Sequence, residues 1–294
     1  MLAAGCRAGG LHVRWLVVGA AGMLGQDAMT LLEREGEQAV GIDREAIDIT
    51  DPRSVAAAVG DVDVVLNCAA FTAVDPAEEQ ESLAFAVNAV GAANLARAAR
   101  EREARIVQIS TDYVFDGVGT VPYPADGPVA PASAYGRTKA AGEWAVRAEN
   151  PDHLVVRTAW LYGAHGPCFP RTIVRVAGER GGLDVVADQV GQPTWTVDLA
   201  GLVLRLVRAA APSGIYHGTS GGQTSWHGFA QAAVRSAGMD PEIVRETTSG
   251  EFKRAAVRPA YSVLAHDQLD AVGVAPIGPW AERWEAAAQT VLAG

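Results

Sequence analysis

The chain of 294 residues is short of lysine, of cysteine and of long apolar runs, and each shortage excludes something. Only Lys139 and Lys253 are lysines, and in all 24 Lys and Arg face 34 Asp and Glu, a formal charge of −10. A surface of that sign repels a phosphate backbone, so no nucleic acid polymer is expected as a partner. Cys6, Cys68 and Cys168 are odd in number, widely spaced and without a C-x-x-C pair. Neither a disulfide framework nor a zinc site fits that spacing, and reduced thiols in a cytoplasmic protein do. His12, His153, His165, His217, His227 and His266 show no ligand spacing, and no metal is expected from them. No apolar run approaches the ~18 residues of a membrane span. No repeat period or low-complexity tract is present, and 49% of the residues are hydrophobic, enough for a substantial core.

What is present is an alternation of aliphatic runs and amphipathic stretches. The run from Val13 to Val18 reads as a first core strand behind a loose tail, Met1 to His12. It passes into Gly19-Ala20-Ala21-Gly22-Met23-Leu24-Gly25 and a helix from Gln26 to Glu35, stopped by Gly36. Strand, glycine turn and helix in that order form a phosphate cradle, because glycine lets the backbone approach a pyrophosphate and the helix N-terminus offers free N–H groups. A second strand, Gln38 to Ile42, ends at Asp43-Arg44. Asp43 is placed for the ribose hydroxyls of NADH, while Arg44 could attract the additional phosphate of NADPH, so either cofactor is allowed. Asp48 could reach the adenine or serve as a turn carboxylate.

Val62 to Ala70 is a further strand, with Ala69 and Ala70 leaving room at its end, followed by the loop Phe71 to Asp75. Helices are expected over Glu78 to Asn88 and Gly91 to Arg102, with Asn88 holding backbone at the sheet edge. The strand Arg105 to Ile109 delivers Ser110-Thr111-Asp112-Tyr113-Val114-Phe115-Asp116-Gly117 to the carboxyl edge of a parallel sheet, where open α/β folds bind ligands. Ser133 caps a helix from Tyr135 to Ala148, and Leu154 to Arg157 is again a strand. Residues 13–165 thus form a doubly wound, Rossmann-like parallel sheet. Residues 166–294 make mainly a smaller C-terminal substrate-binding lobe, with 190–212 packing back on the first. The end of the chain, around Arg258-Pro259 and Pro279-Trp280, reads as irregular.

Tyr135 and Lys139 stand at i and i+4, on one helical face. A phenol acidified by a neighbouring ammonium can protonate the alkoxide formed when a nicotinamide reduces a ketone. Thr111 can orient the carbonyl, Asp112 and Tyr113 would face the substrate, and the flat ring of Trp160 could stack on a sugar. Thr111, Tyr135 and Lys139 behind a glycine turn are therefore the catalytic candidates.

The glycine turn, Ser110 to Phe115, the Tyr135 and Lys139 pair, Arg157-Thr158-Ala159-Trp160, Asp188-Gln189-Val190-Gly191-Gln192-Pro193-Thr194 and Arg258-Pro259 together resemble the extended short-chain dehydrogenase/reductases, and within them the dTDP-4-dehydrorhamnose reductase family. The resemblance runs from Val13 to the C-terminus and implies reduction of the C4 ketone of a dTDP-sugar by NADPH or NADH. It implies a cofactor site of Gly22, Met23, Leu24, Asp43, Asp48, Ile49, Ala70, Phe71 and Thr72. It implies a sugar site of Thr111, Asp112, Tyr135 and Trp160, with Val74 nearby. Related dehydratases carry Asp-Glu after the Thr where this chain has Asp112-Tyr113, so the acid needed for eliminating water is missing. The tail before Val13, and the loop Pro122-Tyr123-Pro124-Ala125-Asp126, which lacks the Glu often found after its Pro-Tyr, depart from the pattern. A different keto-sugar, a regulatory subunit without turnover, and a homodimer are all left open.

Overall fold

The computed structural model describes residues 13–294; the tail, Cys6 and His12 lie outside them. In chain order the first half runs β1 (Arg14–Val18), α1 (Met23–Arg34), β2 (Gln38–Ile42), α2 (Pro52–Ala58), β3 (Val64–Asn67), α3 (Val74–Glu79), α4 (Glu81–Phe85), a π-helical turn (Ala86–Gly91), α5 (Ala92–Glu101) and β4 (Arg105–Thr111). A 3-10 turn (Asp112–Val114) then leads to α6 (Ala134–Glu149), β5 (His153–Thr158), β6 (Leu161–Tyr162), α7 (Phe169–Arg180), β7 (Leu183–Val186), β8 (Val190–Gly191) and β9 (Thr194–Trp195). The last part comprises α8 (Thr196–Arg208), β10 (Gly214–His217), β11 (Ser220–Gly221), β12 (Thr224–Ser225), α9 (Trp226–Ser236), β13 (Val244–Thr247), α10 (Asp267–Ala271), β14 (Ile277–Pro279) and α11 (Trp280–Ala293).

Six strands form one parallel sheet in the order β10-β5-β4-β3-β1-β2. The chain leaves β1 toward β2 and returns to the other side at β3, which makes the β1/β3 boundary the topological switch point where such sheets bind ligands. Central strands are buried on both faces, as their continuous aliphatic runs require. One face, with Val17, Leu66, Val107 and Val156, packs on Leu31 of α1 and Leu199 and Leu202 of α8. The other, with Leu16, Val65 and Ile106, packs on Val55 of α2 and Leu95 of α5. A separate cluster joins Tyr162, Phe229 of α9 and Trp284 and Val291 of α11.

Two expectations change. The helix expected over Glu78 to Asn88 is interrupted at Gln80 (φ −119°) and then widens into the π-helical turn, so that Asn88 points its amide at the strand edge. The C-terminal end is not irregular: Trp280–Ala293 is a helix, started after Pro279 and built from the strong helix formers Glu, Arg, Ala and Gln.

The fold is tied together beneath β4 by a buried ion pair. Glu143 on α6 accepts two hydrogen bonds from Arg157 on β5, at 2.9 Å from Nε and 2.7 Å from Nη2, with both side chains at most 2% exposed. Ser110 donates to the same carboxylate at 2.6 Å, and Arg157 Nη1 donates to the Ala125 carbonyl at 3.0 Å. The guanidinium also lies 4.9 Å from the centre of the Phe115 ring. Removing one partner strands the other charge in the interior, at a cost of about 3–5 kcal/mol. Glu143→Gln should lower unfolding stability by that order in urea titration, and Glu143→Met with Arg157→Met should be closer to wild type than either single change.

Candidate active site

The glycine turn leaves β1 at Gly19, whose φ of +82° suits glycine and whose added Cβ would meet Ala69 N at 2.8 Å. A Cβ at Gly25 would stand 2.2 Å from Gly19 O, so α1 can begin against the turn only with glycine there. Gly22 is the N-cap of α1, without a side-chain cap, and the first-turn N–H groups of Met23, Leu24 and Gly25 face the turn without intrahelical partners. At the end of β2, Asp43 accepts a hydrogen bond from Ala21 N at 2.7 Å, which fixes its carboxylate beside the turn. This bare, glycine-lined cradle with an acidic neighbour fits a dinucleotide.

Other expected cofactor residues divide. Ala70 and Phe71 lie at the end of β3, and Asn88 holds Phe71 from both sides, accepting from Phe71 N at 2.8 Å and donating to Phe71 O at 3.1 Å. Thr72 is exposed beside them, and Val74 opens α3. Leu24 and Ile49, in contrast, turn their side chains into the two cores, so only their backbones are free for a ligand. Asp48 is a turn carboxylate: it accepts from Thr50 N at 2.9 Å and Thr50 Oγ1 at 2.7 Å, and these bonds hold its carboxyl below the usual range.

Across the switch point, β4 ends at Thr111 and α6 presents Tyr135 and Lys139. α6 comes this close because Gly136 and Gly142 carry no Cβ; one added at either would meet Tyr113 O or Asn88 O at 2.2 Å. Ser133 caps the helix by accepting from Gly136 N at 3.1 Å. Tyr135 packs edge-on to Tyr113, ring centres 5.5 Å apart, and against the small side chains Ala77, Ala84 and Ala134 with Phe71.

The electrostatics correct one expectation. Lys139 does not acidify Tyr135 in this arrangement: its buried ammonium donates to the Ile109 carbonyl at 2.6 Å. Burial pushes the Tyr135 phenol above its ordinary value, against a hydrogen bond with Thr111 and with the help of the Asp112 charge. Burial also draws Lys139 down to about 8, opposed by the charges of Glu143 and Cys68. Cys68, at the end of β3, is pushed by burial up to about 12 and is an inert core thiol.

Asp112 is 2% exposed and accepts the Thr111 hydroxyl at 2.8 Å, with Ser262 beside it. Its Oδ2 is buried without a hydrogen-bond partner, and burial lifts the carboxyl to about 6. Trp160, at φ +48°, ends the β5 segment but has no free face for a sugar. Trp226 stacks on one side at 3.6 Å and 7°. On the other a Cβ at Gly191 would stand 2.5 Å from Trp160 Cε2 and 2.7 Å from Cζ2 and Nε1, over the ring rather than at its rim. A sugar can meet only the edge of that indole.

Three contributors escaped the sequence reading. Glu143 lies one helical turn beyond Lys139, a spacing that could have flagged it. Asp75 at the start of α3 binds Arg258 Nη2 at 2.8 Å and Ala256 N at 3.1 Å, closing the distant Arg258-Pro259 segment over the edge. Asp27 of α1 accepts from Thr196 and lies 3.4 Å from His165. Those pairings join residues more than 100 positions apart and leave no local signal. Among the described residues no cluster of His, Cys, Asp or Glu could hold a metal, and no helix is long and apolar enough to cross a membrane.

Comparison with known proteins gives the family of the chain. The family described as RmlD substrate binding domain matches residues 13–293. The chain belongs to that family. It is 48% identical to a dTDP-4-keto-6-deoxy-D-glucose reductase of Streptomyces niveus over 91% of this chain and 93% of the relative. It is also 48% identical to a dTDP-4-dehydrorhamnose reductase of Streptomyces griseus, over 91% and 90%. The crystal structure of the Bacillus anthracis dTDP-4-dehydrorhamnose reductase in complex with NADP superposes with a TM-score of 0.91 at 36% identity, covering 94% of this chain and 99% of that one. This chain is thus an α/β oxidoreductase of the RmlD family.

The raised carboxyl of Asp112 sets a pH dependence. A folded value of about 6 against an ordinary 3.8 means the native protein binds the extra proton between those limits, so stability present below 3.8 is lost as pH rises through about 6. Asp112→Asn should therefore stabilise the protein at pH 7 by up to about 3 kcal/mol, from about two pKa units, and give no gain below about pH 4. Thermal denaturation at both pH values measures this.

Proposed function

We propose that the protein reduces the C4 ketone of a dTDP-4-keto-6-deoxysugar, with dTDP-4-dehydro-L-rhamnose as substrate and dTDP-L-rhamnose as product. The observation that carries this is the convergence of Thr111, Tyr135 and Lys139 at the carboxyl edge of the sheet, across the switch point from a glycine cradle, in a chain of the RmlD family. NADH or NADPH supplies the hydride when bound, held by the turn at Gly19 to Gly25, by Asp43 and by the Ala70 to Thr72 edge. Thr111 orients the ketone oxygen, and Tyr135 gives its phenolic proton to that oxygen as the C4 alcohol forms. Lys139, mostly protonated at neutral pH, would hold the nicotinamide ribose. Asp112, Tyr113, Val74 and the edge of Trp160 border the sugar. Tyr113, where a dehydratase would need a carboxylic acid, favours reduction over elimination. Unpaired Cys68 and Cys168 suit a cytoplasmic enzyme.

A different keto-sugar is favoured by one observation: the two Streptomyces relatives, equally similar to this chain, carry names with different sugars. Purified protein should oxidise NADH or NADPH with dTDP-4-dehydro-6-deoxy-D-glucose only when a 3,5-epimerase is added; oxidation without the epimerase would assign the unepimerised sugar instead. Tyr135→Phe, which removes only the proton donor, should retain cofactor binding by fluorescence titration and lose at least about 100-fold in kcat. Unchanged turnover in that variant would sink the mechanism.

A further inference from the structure

Alongside the outermost strand β10 lies a second concavity, an open groove of about 920 Å³. Its walls are the later turns of α6, the loop at Asp126, the face of β5 that carries His153 and Arg157, and α10. None of the residues assigned to the cofactor or the sugar lines it, and its volume is that of a small-molecule site. Leu154 and Val156 point into the core shared with α1 and α8, so His153 and Arg157 stand on the opposite face of β5, about 13 Å apart along it. At the floor, Glu143 and Arg157 satisfy each other's charge. The walls are different. Trp144 is 56% exposed, the only exposed tryptophan of seven, and Arg147 follows it at i+3 on the same side of α6. Nearby, Arg97 and Arg105 are paired with Glu149 and Asp152, whereas Arg147 has no ion pair or hydrogen bond among the described residues. Asp126, exposed on the facing loop, has none either.

An exposed indole face, an unmatched guanidinium and an unmatched carboxylate around one groove define a ligand with a flat ring, an anionic group and a hydrogen-bond donor. We propose that the groove is a nucleotide site separate from the catalytic cleft, taking a nucleoside diphosphate with its base on Trp144, its phosphates at Arg147 and a base or sugar donor at Asp126. Bases of any kind stack on an indole, and a guanidinium donates to phosphate oxygens in pairs. In a chain of charge −10, an anion is drawn only to a place where a cation is left unmatched, and Arg147 supplies it. An aromatic carboxylate would use the ring and the cation but leave Asp126 without a donor. The length of the groove along β5 gives room for base, sugar and diphosphate in line. The occupant rests on the ion pair that holds α6 to β5.

This site does not depend on the ketoreductase function proposed above, and its test keeps the two apart. The number of nucleotides bound per full-length chain is measured by equilibrium dialysis with labelled dTDP, then with labelled ADP and GDP so that base preference does not decide the outcome. Wild type should bind two dTDP, one in the sugar-nucleotide cleft and one in the groove. Arg147→Glu and Trp144→Ala should each retain only the first, the affinity of the second falling at least about tenfold. Arg147→Lys and Trp144→Phe, which keep the charge and the ring, should keep both. All four variants lie outside the catalytic cleft and should leave kcat and KM within about twofold of wild type. Equal numbers bound by wild type, Arg147→Glu and Trp144→Ala with all three nucleotides would overturn the site. Sedimentation showing a wild-type dimer that Trp144→Ala dissolves, with no nucleotide lost, would also overturn it and assign this face to a second copy of the chain. A single dTDP in wild type that is lost in Arg147→Glu would uphold the groove, and it is then the proposed function that fails.

Discussion

Two opposite charges, Glu143 and Arg157, lie almost wholly out of water beneath the end of β4 and join the elements that carry the candidate site. Removing such ions from solvent is unfavourable unless every oxygen and nitrogen finds a partner, and here Ser110, the Ala125 carbonyl and the Phe115 ring complete the set. Those partners come from β4, from α6, from β5 and from the loop between the 3-10 turn and α6. Satisfying the pair therefore fixes all four relative to one another. Thr111 follows Ser110, while Lys139 and Tyr135 lie one and two turns back along α6 from Glu143. The candidate catalytic groups are placed by an interaction none of them makes. Its contribution is better described as specificity than as net stability, since well-packed apolar residues could fill the same volume.

The helix that carries Tyr135 also approaches the sheet edge more closely than side chains normally permit. Gly136 lies against the backbone of Tyr113, and Gly142 against that of Asn88 in the π-helical turn. Asn88 then spans the gap to Phe71 and to Thr138, joining β3's exit loop to α6. The cofactor edge and the proton-donating edge are thereby braced against each other through backbone contacts and one amide, an arrangement with little capacity to shift.

Much of this was legible in the residues. Continuous aliphatic runs ending in small or hydroxyl side chains marked β1, β3, β4 and β5, because strands buried on both faces need such runs. Ser133 before Tyr135 marked the cap, and Asn88 was placed at the sheet edge. The misses have physical reasons. Trp160 was expected to offer a flat face, but covering it takes Gly191 and Trp226, which are distant in sequence and are brought to it by the pairing of β6 with β9 and of β8 with β12. Acidification of Tyr135 was inferred from i and i+4 spacing alone, which says that two side chains share a face but not that the ammonium will turn to a strand carbonyl. The helix Trp280–Ala293 was overlooked because Pro279-Trp280 was taken as a mark of irregular chain, although a proline at a helix start leaves the following alanine-rich segment free to coil.

One feature of the topology bears on how such proteins could be recombined. The outermost strand β10 and the helix α8 come from beyond residue 195, yet they belong to the sheet begun at Arg14. A hybrid made by joining this chain to a relative at Gly163 would exchange the segments proposed to face the sugar together with a strand and a helix of the six-stranded sheet. Leu199, Leu202 and Leu206 would then have to match Leu31 and Trp15 of the other parent. Transplanting substrate preference alone calls for two separate cassettes, taken from either side of α8 and β10, with the intervening stretch left in its native background.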